Sequence, residues 1–164
     1  ALPISGGSVA GVTDNPNPAR VLNLSLGGGG TCPSTMQAAI DGARSRGSVL
    51  VIAAGNSNTA AGTSTPANCR GVIVVAATGP AGGKAPYSNY GGIVDVAAPG
   101  GNMSRGTTWG VLSTHNDGGA SPGNDTYGYL QGTSMATPHV AGVAALMLSR
   151  NPTLTPDEIG RAHV

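Results

Sequence analysis

The 164-residue chain contains no phenylalanine, one tryptophan and few charged residues. Charged side chains make up 9% of it, against about 25% in an ordinary domain. The formal net charge of +1 excludes the basic surface that binds nucleic acid, so no nucleic-acid partner is expected. No apolar run approaches the roughly 18 residues of a membrane span, so no membrane association is expected either.

Glycine and proline are instead abundant, with 28 and 12 copies, which indicates many loops. The apolar pattern predicts helices at about 34–46 and 134–149 and strands at 20–26, 48–54, 71–77, 93–97, 110–114 and 127–131. Strands alternate with helices early in the chain. This order predicts an α/β fold with a mostly parallel sheet and helices on both faces.

The segment 132–142, GTSMATPHVAG, places a serine before a strongly apolar helix. Because Pro138 lacks a backbone N–H, the helix is predicted to begin near Ser134 or Met135, with Ser134 as its cap. The apolar residues that follow predict a helix enclosed by other layers, with only its N-terminal end open to solvent. That end favours a developing oxyanion, so Ser134 is a candidate nucleophile. A plain N-cap is the alternative.

Two predicted strands end in segments suited to a binding site. The strand at 48–54 leads into Gly55-Asn56-Ser57, and the strand at 20–26 leads into the glycines 27–30. A glycine stretch leaves the backbone open to pairing with an extended peptide. A simple turn at Asn56 and a flexible linker at the glycines are the alternatives. A phosphate-binding loop is excluded because no Lys-Ser or Lys-Thr follows the glycines.

These three segments together resemble the subtilases, the subtilisin-like serine proteases. Segment 132–142 is similar to their serine motif at nearly every position, whereas Ala136 excludes the Gly-x-Ser-x-Gly motif of α/β-hydrolases. The resemblance implies an endopeptidase in which Ser134 attacks the peptide carbonyl, and the Asn56 side chain and the Ser134 N–H hold the oxyanion. The substrate-binding residues that it implies are Ser25, Leu26, Gly27 and Gly28, with Ala54 and Gly55 on the opposite wall.

A subtilase also needs a histidine base and an aspartate that orients it. Neither of the family's motifs for them occurs here. His139 follows the serine on the same helix, His163 lies near the end of the chain, and His115, close to Asp117, is a disfavoured candidate. We therefore expect the catalytic aspartate and histidine, and a propeptide, upstream of residue 1. The fold is then incomplete at its N-terminal side, and the segment alone is expected to be inactive and to fold poorly.

Residues 1–158 are accordingly interpreted as the C-terminal portion of a peptidase catalytic domain. Near its end, Thr155, Pro156 and Glu158 predict the capped start of a helix. Ile159–Val164 instead matches one reading frame of a common sequencing adapter. Residues 159–164 are therefore predicted to be a non-native tail.

Cys32 and Cys69 are too few for a zinc site, so they predict either a disulfide, which is favoured, or two buried thiols. The resemblance implies a secreted, extracellular bacterial enzyme that is a monomer and acts on polypeptides. No metal or cofactor is predicted in this segment. The resemblance implies that the full-length protein can bind calcium. Asp117, Asn124 and Asp125 could offer oxygen ligands, but they show no clear ligand spacing, and solvated loop residues are the favoured interpretation. The alternative function is a non-catalytic subtilase-like protein or a glycine-rich binding module.

Overall fold

The computed structural model describes residues 4, 6–8 and 10–161. Its strands are β1 (Val21–Leu24), β2 (Gly28–Gly29), β3 (Val49–Ala53), β4 (Ser64–Thr65), β5 (Ile73–Thr78), β6 (Val96–Pro99), β7 (Val111–Asn116) and β8 (Asp125–Leu130). Its α-helices are α1 (Ser34–Ser45), α2 (Thr133–Arg150) and α3 (Pro156–Gly160). Within these residues, no helix has the length and apolar character needed to cross a bilayer.

A parallel sheet in the order β1-β3-β5-β6 forms the centre of the molecule. All five residues of β3 are buried, and successive side chains of a strand point to opposite faces. Val49 and Val51 pack in one cluster with residues of α2, whereas Leu50 packs with residues of α1 in another. Helices therefore cover both faces of the sheet, which confirms the predicted α/β fold.

The other strands form two antiparallel pairs. β7 and β8 make a hairpin from the strands predicted at 110–114 and 127–131, and β2 pairs with β4 through Gly28–Thr65 and Gly29–Ser64. The β2–β4 pair was not predicted, because two residues per strand are too few to show a hydrophobic period. β1 is shorter than predicted and ends at Leu24. The residues after Leu24 leave the sheet and lead into the glycines.

Two predictions about α2 are wrong. The helix begins at Thr133 with Gly132 as its N-cap, so Ser134 lies in the first turn and does not cap it. The helix is also not enclosed, because Val143 is 56% exposed and Leu146 is 68% exposed. Only one side of α2 has a layer against it in the described part of the chain, through Ala136, Ala144 and Leu148.

The capped start of α3 is confirmed. The Thr155 hydroxyl accepts a hydrogen bond from the Glu158 N–H, and the Glu158 carboxylate accepts bonds from the Thr155 N–H and hydroxyl. These bonds from the Thr155 backbone and side chain hold the pKa of Glu158 below its ordinary value. Ile159, in the predicted tail, is buried in the core, and residues 162–164 lie outside the described residues. The origin of the tail stays a prediction.

Two long-range connections link distant segments around the sheet. Cys32 and Cys69 form the favoured disulfide across a sequence separation of 37, with their Cα atoms 5.2 Å apart. The Arg20 guanidinium donates to the carbonyls of Gly47, Pro152 and Leu154 at 3.0–3.1 Å. The arginine thereby joins the start of β1 to the segments that follow α1 and α2.

Candidate active site

Ser134 lies at the N-terminal end of α2, above the carboxyl ends of the parallel strands. It is half-buried, and its hydroxyl lies 3.3 Å from the carbonyl oxygen of Ser25. Its backbone N–H belongs to the first turn of the helix, where no helical acceptor exists. The same residue therefore presents a hydroxyl and a free donor, at the positive end of the helix dipole.

Asn56 lies beside this turn, in the loop after β3. Its side-chain oxygen accepts from the Thr133 N–H at 2.8 Å and from the Thr133 hydroxyl at 2.9 Å. Because both of these bonds end on the side-chain oxygen, the Asn56 Nδ2 is not used in binding Thr133. Asn56 and Ser134 are 78 positions apart in sequence. The bonds from Asn56 to Thr133, which directly precedes Ser134, bring the two residues close together.

The Asn56 Nδ2 and the Ser134 nitrogen both lie close to Gly132. A Cβ atom placed on Gly132 would lie 3.5 Å from the Asn56 Nδ2 and 3.6 Å from the Ser134 nitrogen. Because glycine has no side chain, this space stays open. The two nitrogens that the resemblance assigns to the oxyanion therefore border the same open space.

Ser134 also lines a cavity of about 530 Å³. Of the predicted substrate-binding residues, Ser25, Leu26, Gly27, Gly28 and Gly55 line it as well. Ala54 does not, because its side chain is fully buried behind the wall, and the neighbouring Ala53 lines the cavity instead. The remaining lining is small and polar, and it includes Gly29, Ser57, Thr59, Thr63 and Ser64.

Residues 5–164 match the profile described as the subtilase family. The chain belongs to the subtilase family. It is similar to an extracellular protease of Xanthomonas campestris pv. campestris, with 55% identity over 153 residues, and to an extracellular basic protease of Dichelobacter nodosus, with 48% identity over 159 residues. These alignments cover 93% and 94% of the chain and 25% of each relative.

A solved protease structure from Pseudoalteromonas arctica has the same fold. It superimposes with a TM-score of 0.95 at 57% identity, over 97% of this chain and 47% of that one. The subtilase segment thus spans about a quarter of the length of the two curated relatives. The predicted resemblance and the mostly parallel subtilisin-like sheet are both confirmed.

Asn89 was missed by the sequence analysis, although it organises the loop that carries Asn56. It is 1% exposed. Its side-chain oxygen accepts from the N–H groups of Ser57 and Thr59 at 3.0 and 3.1 Å, and its nitrogen donates to the Ala54 carbonyl at 2.9 Å. Its own N–H donates to the Gly55 carbonyl. The only sequence signal would have been a polar residue expected at a buried position, which requires knowledge of the fold.

Tyr87 supports the other side of the site in this subtilase segment. Its hydroxyl lies 2.7 Å from the Gly100 carbonyl oxygen and 2.8 Å from that of Gly101. The same Gly100 carbonyl accepts the N–H of Gly132, the cap of α2. Burial raises the pKa of the Tyr87 phenol above its ordinary value of 10.0, while a hydrogen bond with the Gly132 backbone acts in the opposite direction.

The described histidines are not arranged as a base for Ser134. His139 directs its Nδ1 to the Met135 carbonyl of its own helix, at 2.8 Å. His115 is exposed on β7, opposite Thr126 in the hairpin. His163 lies outside the described residues. An upstream histidine base stays a prediction.

Asp117 is hydrogen-bonded within the tip of the β7–β8 hairpin. Both carboxylate oxygens of Asp117 accept hydrogen bonds from Asn124, one from its backbone and one from its side chain. In the part of the chain that the structure describes, no three His, Cys, Asp or Glu side chains are grouped as metal ligands. The Asp117 carboxylate is therefore engaged in bonds within the loop.

Proposed function

We propose that the chain is the C-terminal portion of the catalytic domain of a secreted bacterial serine endopeptidase of the subtilisin type. The observation that carries the proposal is the meeting of the Ser134 hydroxyl, the Ser134 N–H and the anchored Asn56 amide at one open cavity. The extracellular names of two relatives and the Cys32–Cys69 disulfide support secretion.

In the proposed reaction, the Ser134 oxygen attacks the carbonyl carbon of a peptide bond. The carbonyl oxygen becomes an oxyanion, which accepts hydrogen bonds from the Ser134 N–H and the Asn56 Nδ2. The proton of the hydroxyl passes to a histidine base upstream of residue 1 and then to the leaving amine. Water releases the acyl group in a second step, and Ser134 regains its proton.

The substrate would lie as an extended strand against Ser25–Gly28, with one side chain in the cavity. This proposal is supported by Leu26 and Gly27, which are exposed and lie between β1 and β2. Gly55 would form the facing wall. We further propose that the full-length enzyme is a monomer made with a propeptide, and that any calcium is bound outside the hairpin tip.

The test is labelling of the full-length protein with a fluorophosphonate, which reacts with activated serines. We expect labelling and peptide hydrolysis in the wild type, and neither in Ser134→Ala. Ser149→Ala is the matched control, because Ser149 lies at the far end of the same helix and bonds only to Leu146 there. Hydrolysis that survives in Ser134→Ala would contradict the proposal and favour a non-catalytic or binding role for this site.

Asn56→Ala provides a second test of the proposed function. Loss of one oxyanion donor lowers turnover by about 10²–10³ in a subtilisin, and we expect the same range here. KM should change little, because the donor acts mainly in the transition state. The control is Asn17→Ala, an exposed asparagine on another part of the surface.

A further inference from the structure

Helix α2 contains a proline in its interior, four residues after the proposed nucleophile. In an α-helix the N–H of residue 138 would donate to the carbonyl of Ser134, but Pro138 has no N–H to give. The Ser134 carbonyl therefore has no helical donor at that position. Ser134, the proposed nucleophile, therefore lacks the hydrogen bond that an α-helix would normally give to its carbonyl.

Ser25 supplies the missing donor from another segment. Its hydroxyl donates to the Ser134 carbonyl oxygen at 2.8 Å, a contact that spans 109 residues. The Asn23 side-chain amide donates to the same Ser25 hydroxyl oxygen at 3.0 Å. Because Asn23 fills an acceptor position on that oxygen, the single hydroxyl proton is directed to Ser134.

The contact is reciprocal. The Ser134 hydroxyl lies 3.3 Å from the Ser25 carbonyl oxygen, so the two serines are linked through both backbones and both side chains. The Ser134 carbonyl belongs to the peptide plane that follows its Cα. Holding this plane restrains the backbone of Ser134 on its carbonyl side, and the contact of its hydroxyl with the Ser25 carbonyl restrains its Oγ.

We propose that Ser25 is a positioning residue, whose hydroxyl takes the place of the amide that Pro138 lacks and so holds Ser134 in its reactive geometry. This inference rests on the proposed function, because it assigns Ser25 a second task besides lining the cavity. In the proposed function, the backbone of Ser25–Gly28 binds the substrate. The side chain of Ser25 instead acts on the enzyme's own nucleophile, Ser134.

The test is a double-mutant cycle in the full-length enzyme with Ser25→Ala, Pro138→Ala and the double variant. Ser25→Ala should lower kcat by about 10- to 100-fold, since a small misplacement of a reacting group costs up to this much. KM should stay within about 2-fold, since the substrate's backbone contacts remain. In the Pro138→Ala background the restored amide can donate to the Ser134 carbonyl, and the further loss on Ser25→Ala should fall below about 3-fold.

Two measurements separate positioning from general damage to the fold. The rate of fluorophosphonate labelling is normalised to folded protein, and each variant is melted thermally. Ser149→Ala is the matched control: it also removes a hydroxyl bond to a carbonyl of α2, but at the far end of the helix, at Leu146. We expect it to leave kcat and labelling unchanged.

The outcomes distinguish this inference from the proposed function. Activity in Ser134→Ala would overturn the proposed function itself. With Ser134 confirmed as the nucleophile, wild-type kcat in Ser25→Ala would overturn the positioning role alone. An equal loss in the Pro138 and Pro138→Ala backgrounds would also overturn it, because the hydroxyl would then not be replacing the missing amide. A rise in KM at constant kcat would assign the Ser25 side chain to substrate binding instead.

Discussion

Gly132 shows how one missing side chain keeps a site open. Its φ of 151° lies in the region that residues with a Cβ avoid, and an added Cβ would lie 3.5 Å from the Asn56 Nδ2 and 3.6 Å from the Ser134 nitrogen. A substitution there acts in two ways at once. It strains the cap of α2, and it places a methyl group against the two nitrogens proposed to hold the oxyanion.

We expect Gly132→Ala to lower kcat by at least about 10²-fold, comparable to the loss of an oxyanion donor. Steady-state kinetics of the full-length enzyme would measure this. Gly142→Ala is the matched control: Gly142 lies on the same helix, and nothing lies within 4 Å of its added Cβ. Full activity in Gly132→Ala would show that the oxyanion lies elsewhere.

The loop between β3 and the turn at Ala61–Thr63 depends on a buried asparagine for its shape. The Asn89 side chain hydrogen-bonds to the backbone on both sides of Asn56, at Ala54 and at Ser57. It also donates to the Ser64 hydroxyl at 3.0 Å, in the short strand β4. One side chain thus holds both the loop of the proposed oxyanion donor and part of the cavity wall.

Asn89→Ala should destabilise the protein by about 2–4 kcal/mol, because several buried polar groups lose their partners. It should also lower kcat, since the Asn56 loop loses its support. Chemical denaturation and kinetics at a temperature where the variant is folded would measure the two effects separately. Asn17→Ala, at an exposed position, should change stability by less than about 0.5 kcal/mol. Normal kcat in the folded Asn89→Ala enzyme would leave Asn89 with a purely structural role.

Across the whole molecule, the disulfide connects the segment before α1 to the segment before β5. Cys32 lies just after the glycines that line the cavity, and Cys69 lies just beyond β4, which pairs with those glycines. The bridge therefore closes a loop around one edge of the proposed substrate site. Its effect on stability comes largely from restricting the unfolded chain.

Replacing both cysteines, Cys32→Ala with Cys69→Ala, should lower the free energy of unfolding by about 3–4 kcal/mol for a loop of this length. Denaturant titration of the full-length protein would measure the change. Reduction of the wild type should give a similar loss, and a reductant should not affect the double variant further. Equal stability of the oxidised and reduced wild type would show that the bridge does not stabilise the fold.

The main elements and the family could be predicted because both depend on local sequence. The apolar run at 48–54 is typical of a strand buried on both faces, and it is one. The motif around Ser134 identified the subtilases, a prediction that the family match confirms. The wrong predictions concern burial and side-chain orientation, which depend on the segments packed around a residue. The exposed Leu146 depends on which layers cover α2, and Ala53 rather than Ala54 lines the cavity because alternate residues face opposite ways.

The residues that hold the site in place required the folded chain. Asn89 carries no motif, and the segment of Ser25 pointed only to substrate binding. The Ser64 hydroxyl bonded to Asn89 and the Ser134 carbonyl bonded to Ser25 lie 25 and 109 positions away. A sequence shows which residues have hydroxyl and amide groups, but a hydrogen bond depends on distance and direction in space. The pattern of apolar and special residues was therefore sufficient to predict the fold and the two proposed reacting groups. How Thr133, Ser25 and Asn89 hold those groups was set by the packing of segments far apart in the chain.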